Sequence, residues 1–574
     1  MDKHHITGVL EEIGMLLELK GENFFKSKAY YDAARAIELM EEDIEALVSE
    51  NRLKGHKGFG EALTAKITEL VTTGRLEYYE KLKASIPEGL MDMLRIPGMG
   101  PKKVKAVYDH LGISSINELK NACLENGLSG LAGFGEKTQT KILEGIESLS
   151  RYSGQYLFPE AMELASELVE ALKESGLVLR CSVGGSLRRK KETVKDADIL
   201  ASSRDSAGVM DFFTGHPLVA AVVSKGDTKA SVTLVNGMNA DLRVVDDAQY
   251  PYALHHFTGS REHNTAMRHL ARQKDLKMNE YGIFRGEEGE LVVCRSEEEI
   301  FGLFGMDYIP PELRENNGEL EAAMEGRLPE LLEPGDIRGV IHMHSAYSDG
   351  AASLEDMVKA CISRGYSYMG ITDHSRTAVY AGGLKEDDIR KQHEEIGLLQ
   401  EKYPDFKIFK GIEVEILQDG NIDYDEETLS LFDFTIASVH SATGMDEARM
   451  TARVIKAMQN RHVTMLGHPT GRLLLTREGY KINMVEIIRT AVEEKVVIEI
   501  NANPYRLDLD WRFCKAARDA GCSFVISPDA HGPDEIGNIK YGVNVARKGW
   551  LRACDVVNAM SAGDFADFIS AKKK

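Results

Sequence analysis

Two sets of residues have the types and spacing of metal-dependent phosphate chemistry. The first is Asp196-x-Asp198 in "KDADIL", followed later by Asp241 in "NADLRVV". Read as a strand, "KDADIL" puts Asp196 and Asp198 on one face, because side chains alternate with period two. Two carboxylates so close repel each other unless cations lie between them, although a lone Asp-x-Asp also suits a solvated acidic turn. Upstream, "GGSLRR" offers the backbone amides of Gly185, the Ser186 hydroxyl and the guanidinium groups of Arg188 and Arg189, all suited to a triphosphate. Downstream, "ASVTLVNGMNADLRVVD" reads as a hairpin with its turn near Asn236-Gly237, which brings Asp241 beside the first pair. Three carboxylates holding two Mg²⁺ ions are what nucleotidyl transfer requires.

The second set opens at "IHMHSAYSDG", with His342, His344 and Asp349. Alone, these residues also fit a surface turn. They are followed by "TDH" (Asp373, His374), "GIEVEI" (Glu413), "SVH" (His440), "GHP" (His468) and "PDAH" (Asp529, His531), each read at the C-terminal end of a strand. Parallel α/β barrels build their sites there. A single strand-end histidine is more often a hydrogen-bonded core residue than a ligand, but so many strand ends carrying His, Asp or Glu favour a metal cluster. Mixed histidine and carboxylate ligation suits Zn²⁺ or Mn²⁺ better than Mg²⁺. Arg376 and Arg472, just after two of these motifs, are candidate phosphate clamps.

Three kinds of chain must position these sets. Residues 1 to about 150 are helical in pattern, with apolar residues three and four apart in "ITGVLEEIGMLLELK". Three segments there place Gly-x-Gly between helical stretches: Gly58/Gly60, Gly98/Gly100 and Gly133/Gly135. Such turns expose backbone amides at a helix N-terminus and can hold a DNA phosphate without reading sequence. One copy is more often an ordinary helix–helix turn; three, the middle one followed by Lys102, Lys103 and Lys105, favour DNA. From about 158 to 315 helices mix with short strands, and a polar, Pro/Gly-punctuated linker follows, read as partly helical. From about 336 strand-like and helical stretches alternate, which indicates a parallel α/β architecture.

At 574 residues the chain is too long for one core, and 43% hydrophobic with 28% charged residues is a globular composition. No run is long and apolar enough for a membrane span, and a cytoplasmic protein is expected. The seven cysteines include no CxxC pair, which excludes a zinc knuckle and argues against a disulfide framework. A net charge of −21 argues mildly against nucleic-acid binding as a global average but does not settle it, because DNA binding depends on local basic surface.

"GGSLRR…DAD…ADLR…HFTGSREHNTAMR", preceded by the glycine hairpins, resembles the family X DNA polymerases over residues 1–315. The resemblance implies Asp196, Asp198 and Asp241 as the metal triad, with Asp241 deprotonating or orienting the primer end. It implies Gly185, Ser186 and Arg189 at the incoming dNTP's phosphates and Phe257, Thr258, Gly259 and Ser260 against its sugar. Asn264 and Arg268 would contact the nascent pair and template. His256 departs from the family's Tyr-Phe pattern, which puts the strength of sugar discrimination in question. The N-terminus resembles the family's eight-kilodalton domain, which grips a 5′-phosphate at a gap, and Lys66 falls where lyase members keep a Schiff-base lysine.

Residues 336–574 resemble the polymerase-and-histidinol-phosphatase (PHP) domain, a distorted seven-stranded (β/α) barrel holding three metals. That resemblance implies His342, His344, Glu413 and Asp529 at one metal, Glu413 bridging to a second with His440 and His468, and Asp349, His374 and His531 at the third. The organisation expected is a helical DNA-end domain (1–90), a helix-hairpin-helix subdomain (91–155), an α+β nucleotidyltransferase palm (156–254), a nascent-pair subdomain (255–316), a linker (317–335) and the barrel. The fusion is that of bacterial members and implies a monomeric gap-filling repair polymerase on gapped or primer-template DNA, with 3′–5′ exonuclease and incision at abasic sites. A small-phosphoester phosphatase, a polymerase with a silent barrel, and a non-enzymatic DNA-end scaffold are the competing readings.

Overall fold

The computed structural model describes residues 3–38, 40, 42, 44–50, 52–55, 59–286 and 289–572. The chain forms two compact units, Met1–Ser153 and Gly154–Lys574.

The first unit is helical. Ile6, Leu10, Ile13 and Leu17 of helix Lys3–Lys20 all face its core, as their spacing predicts. Two of the glycine hairpins are regular. Gly98 and Gly133 both have φ of 85°, where a side chain would be strained, while Gly100 and Gly135 begin helices Pro101–Leu111 and Glu136–Tyr152. Gly60 begins helix Glu61–Thr73 in the same way; its partner Gly58 lies outside the described residues.

The second unit contains several hydrophobic clusters. A five-stranded sheet runs in the order Arg180–Val183, Asp196–Ser202, Asn239–Val245, Lys229–Leu234, Val219–Lys225. Only the pair Asp196–Ser202 and Asn239–Val245 is parallel, and its register sets Asp198 opposite Asp241. The hairpin expected around Asn236-Gly237 is present, with Gly237 at φ 87°. Helices Tyr250–Thr258 and Arg261–Gln273 and a three-stranded sheet follow, around Tyr252, Met267, Ile283 and Phe301.

Residues 317–335, expected as a linker, form part of that core. Helix Glu319–Met324 buries Leu320, Ala322 and Ala323 beside Phe301 and Trp550. Partial helix was expected in this stretch, but its polar composition gave no sign that the helix would pack.

Seven parallel strands then follow in chain order: Gly339–Val340, Tyr368–Ile371, Lys407–Glu415, Phe434–Ser438, Met465–Leu466, Val497–Asn501 and Phe524–Ser527. A bridge between Met343 and Ala530 draws the first and last together, so the sheet nearly closes into the barrel anticipated. Its far end is plugged by Phe565 of helix Ala562–Lys572, whose ring lies 5.2 Å from Tyr368 and 5.1 Å from Phe409. All seven cysteines are free. Among the described residues no helix is long and apolar enough to cross a membrane.

Candidate active sites

The sheet register assembles the first site. Asp196 and Asp198 start one strand and Asp241 lies beside them on its parallel neighbour. Burial, reinforced by the Asp196 and Asp241 carboxylates, pushes the Asp198 pKa up to about 6. Burial and then Asp241 also raise that of Asp196. Lys229 reaches Asp241 at 2.7 Å. Three mutually repelling carboxylates at one sheet end form a donor set that fits divalent cations.

The loop above is built so that Asp198 is approached closely. Gly184 N–H donates to the Asp198 carbonyl at 2.7 Å, and Gly185 has φ of 57° with no room for a Cβ, which would stand 2.0 Å from Asp198 Oδ2. Ser186 follows in the same short turn. The two arginines point differently than their adjacency suggests. Arg188 is fully committed, with Nη2 at 2.6 Å from Glu297 Oε2 and Nη1 donating to Thr258 Oγ1 at 2.6 Å. Arg189 donates through Nε to Glu315 at 3.0 Å and through Nη1 to the Thr258 carbonyl at 2.9 Å.

Phe257 lies beside the carboxylates with Arg243 stacked on its ring at 4.6 Å. Thr258, expected against the sugar, is buried, and its hydroxyl accepts from Arg188; the segment turns this side chain inward. Gly259 passes tightly over Asn264, whose amide donates to the His256 carbonyl at 2.7 Å and the Gly259 carbonyl at 3.1 Å. Ser260 caps helix Arg261–Gln273 rather than standing free, while Arg268 is exposed on that helix. Burial holds the half-buried His256 below the ordinary histidine pKa.

The second site gathers all nine expected residues at one mouth of the barrel. Its centre is Glu413, whose carboxylate lies within 3.7 Å of ring nitrogens of five histidines: His342, His344, His374, His440 and His468. Asp529 stands 3.2 Å from His344 and 3.6 Å from His342. On the outer side Asp349 lies 3.5 Å from His531 and 3.6 Å from His374. Glu413 sits inside its strand, not beyond its end, and still reaches the centre.

The chemistry of this set fits divalent cations. Buried His342 Nε2, His344 Nδ1, His468 Nδ1 and Glu413 Oε2 have no hydrogen-bond partner among the described residues. Although burial opposes it, Glu413 and Glu415 push the His440 pKa up to about 10, and Asp349 and Asp529 push that of His531 up to about 9. Burial takes His344 down to about 4. Carboxylates that must recruit protons onto imidazoles are better served by metal ions. His342, His468 and Asp529 also have φ of 61°, 24° and 53°, in the left-handed region.

Sequence reasoning missed the residues that orient these donors. Glu499 meets His342 Nδ1 at 2.5 Å and accepts the His468 N–H at 2.6 Å. Glu415 meets His440 Nδ1 at 2.9 Å, and Asn501 donates to Asp529 at 3.0 Å. The alternation in "EVE" and "EIN" was the available signal, since both put polar side chains on the face turned to the site. Arg472 is not a clamp: it pairs with Asp510 and donates to the Arg506 carbonyl at 2.9 Å. Arg376 is drawn to Glu386 and stacks on Tyr424. Arg506 is a cation at the cluster, with Nε 3.5 Å from Asp529. Tyr380, 71% exposed, stands at the rim with its ring 6.1 Å from His374.

In the helical unit, Lys66 Nζ donates to Tyr30 and lies 3.8 Å from the Tyr78 ring centroid. Burial lowers its pKa, with Tyr78 opposing and Lys26 adding to the fall. Lys103 donates to the Gly98 carbonyl at 2.9 Å and so braces its own hairpin, while Lys102 is exposed.

Comparison with known families identifies the domains. Residues 253–315 match the DNA polymerase beta thumb and 341–503 the PHP domain. Residues 1–76 match a helix-hairpin-helix domain and 90–148 a SAM-like helix-hairpin-helix tandem. The architecture is thus a polymerase-beta-like core joined to a PHP barrel. The DNA polymerase/3′-5′ exonuclease PolX of Bacillus subtilis (strain 168) is 38% identical over 571 residues, 99% of both chains, and this chain belongs to that family. A probable phosphatase of Thermoanaerobacter sp. (strain X514) is 27% identical over 250 residues, covering 41% of this chain and 94% of its own length. DNA polymerase lambda of Rattus norvegicus is 23% identical over 342 residues, 54% of this chain and 56% of its own.

Proposed function

We propose that this chain is a gap-filling DNA polymerase of base excision repair type that also removes nucleotides from 3′ ends through its barrel. The observation that carries the reading is the presence in one chain of both donor sets, Asp198 set opposite Asp241 and Glu413 ringed by five histidines. The residues proposed for two Mg²⁺ ions are Asp196, Asp198 and Asp241, and for three Mn²⁺ or Zn²⁺ ions the nine barrel residues. When bound, such ions supply Lewis acidity and charge neutralisation at phosphorus.

The protein's own groups do the rest. Asp241 orients or deprotonates the primer 3′-hydroxyl. Gly185, Ser186 and the remaining Arg189 nitrogen meet the dNTP phosphates, and Phe257 with Gly259 bounds the sugar. At the barrel, Arg506 holds the scissile phosphate, and Glu499 and Glu415 keep the imidazoles of His342 and His440 oriented. Gly60, Gly98, Gly100, Gly133, Gly135 and Lys102 grip DNA phosphates, and the chain acts as a monomer on gaps bearing a 5′-phosphate.

The test is extension and degradation of a 5′-phosphorylated gapped duplex with dNTP, Mg²⁺ and Mn²⁺ varied separately. Synthesis requiring dNTP and Mg²⁺, with degradation stimulated by Mn²⁺, is the expected result. Hydrolysis of p-nitrophenyl phosphate without attack on DNA ends would favour the phosphatase reading, which the partial likeness to a probable phosphatase supports.

Lys66 is proposed as a lyase nucleophile, since its amine is partly desolvated between Tyr30 and Tyr78. Borohydride should trap a covalent adduct on DNA with an incised abasic site, and Lys66→Ala should abolish it. An adduct persisting at parental yield would show that Lys66 is only an aromatic-boxed structural cation.

A further inference from the structure

Lys548 lies at the end of barrel helix Ile539–Lys548 and is 1% exposed. Among the described residues its ammonium hydrogen-bonds to no barrel group. It donates to Glu315 Oε1 at 2.5 Å, to the Arg189 carbonyl at 3.1 Å and to the Glu312 carbonyl at 3.4 Å, all in the polymerase part of the chain. Burial pushes its pKa down to about 8, with Glu315 opposing.

The same Glu315 oxygen also accepts from Arg189 Nε at 3.0 Å. Arg189 is fixed a second time by the Thr258 carbonyl, and its Nη2 makes no hydrogen bond to any described residue. Arg189 ends the short turn whose Gly185 passes directly against Asp198. The trio of one carboxylate and two cations therefore carries one net positive charge beside the carboxylate site. Without Lys548, Glu315 would neutralise Arg189, and one of two restraints on Glu315 would be gone.

A second contact braces the same loop from the barrel side. Buried Glu192 accepts from Arg512 Nη1 at 2.8 Å and from Trp511 Nε1 at 3.2 Å, and Lys548 lies 4.5 Å from the Trp511 ring centroid. The barrel thus reaches into the polymerase loop at both Arg189 and Glu192.

We infer that Lys548, a barrel residue, is a positioning residue of the polymerase nucleotide site: through Glu315 it holds Arg189 for the incoming triphosphate and keeps that buried group positive. The inference rests on the reading that Arg189 meets the dNTP phosphates. It makes the barrel a structural part of nucleotide binding, apart from any chemistry of its own.

Steady-state synthesis by the full chain on a gapped duplex tests it, comparing Arg189→Ala, Lys548→Met and the double variant, with exonuclease turnover read on the same preparations. Arg189→Ala and Lys548→Met should each raise the dNTP KM by about tenfold, the worth of a charge-assisted contact, with kcat within about twofold. The double variant should be no worse than Arg189→Ala alone, because both act through one group. Exonuclease turnover should be unchanged by Lys548→Met. If Arg189→Ala leaves the dNTP KM unmoved, the reading of Arg189 fails. If Arg189→Ala raises it but Lys548→Met does not, or the two effects multiply, the role of Lys548 is overturned. Should Lys548→Met lose exonuclease as well, Lys548→Gln, which keeps a donor for the two carbonyls but removes the charge, decides by the same split.

Discussion

Replacing His440 or Asp349 by alanine is expected to lower 3′–5′ exonuclease turnover by about a thousandfold or more, while gap-filling synthesis stays within about twofold of the parent. Both residues belong to the donor set yet lie toward its open side, His440 16% and Asp349 33% exposed at the side chain. Their loss removes a ligand without emptying the barrel core. Glu413 would be a poorer choice, because deleting a buried carboxylate among five histidines leaves positive charge unpaired and unsettles the fold. Neither His440 nor Asp349 touches the contacts of Arg189 or Glu192, so synthesis has no route by which to fall. A parallel loss of synthesis in either variant would sink the reading of two separate sites.

The converse experiment, Asp196→Ala together with Asp198→Ala, should reduce nucleotide incorporation by about a thousandfold or more and leave degradation of the primer near the parental rate. Burial first and neighbouring carboxylates second raise their pKa values, and removing both relieves each cost, so the sheet itself should hold. The change is confined to one end of the Asp196–Ser202 strand, whose Ala197, Ile199 and Ala201 keep the core intact. Incorporation by the double variant at more than about a tenth of the parental rate would remove these aspartates from the reaction.

How much of this was legible depends on whether a residue acts locally. Asp196 and Asp198 announce themselves by spacing, and Asp241 by a hairpin signal that also fixes its register. The residues gathered at the barrel mouth were legible because most follow a short apolar run, although Glu413 lies inside its strand. Glu499 and Glu415 were not, because a buried glutamate in a strand looks the same whether it supports a ligand or pairs with a distant arginine. The hydroxyl directions of Thr258 and Ser260 could not be read from the motif for a related reason: they are set by Arg188 and by the cap of the next helix. Lys548 could not be read from sequence, since its partners lie 233 to 359 positions away. The packed linker was concealed because three small apolar residues are a weak signal amid charge.

The left-handed backbone at His342, His468 and Asp529 sets stability against chemistry within single residues. Each costs about 1–2 kcal/mol relative to a residue that accepts that conformation freely. Glycine would accept it at all three places and would also delete a proposed metal donor. Selection for heat resistance alone would therefore drift toward glycine at these positions and arrive at a sturdier barrel without a hydrolase.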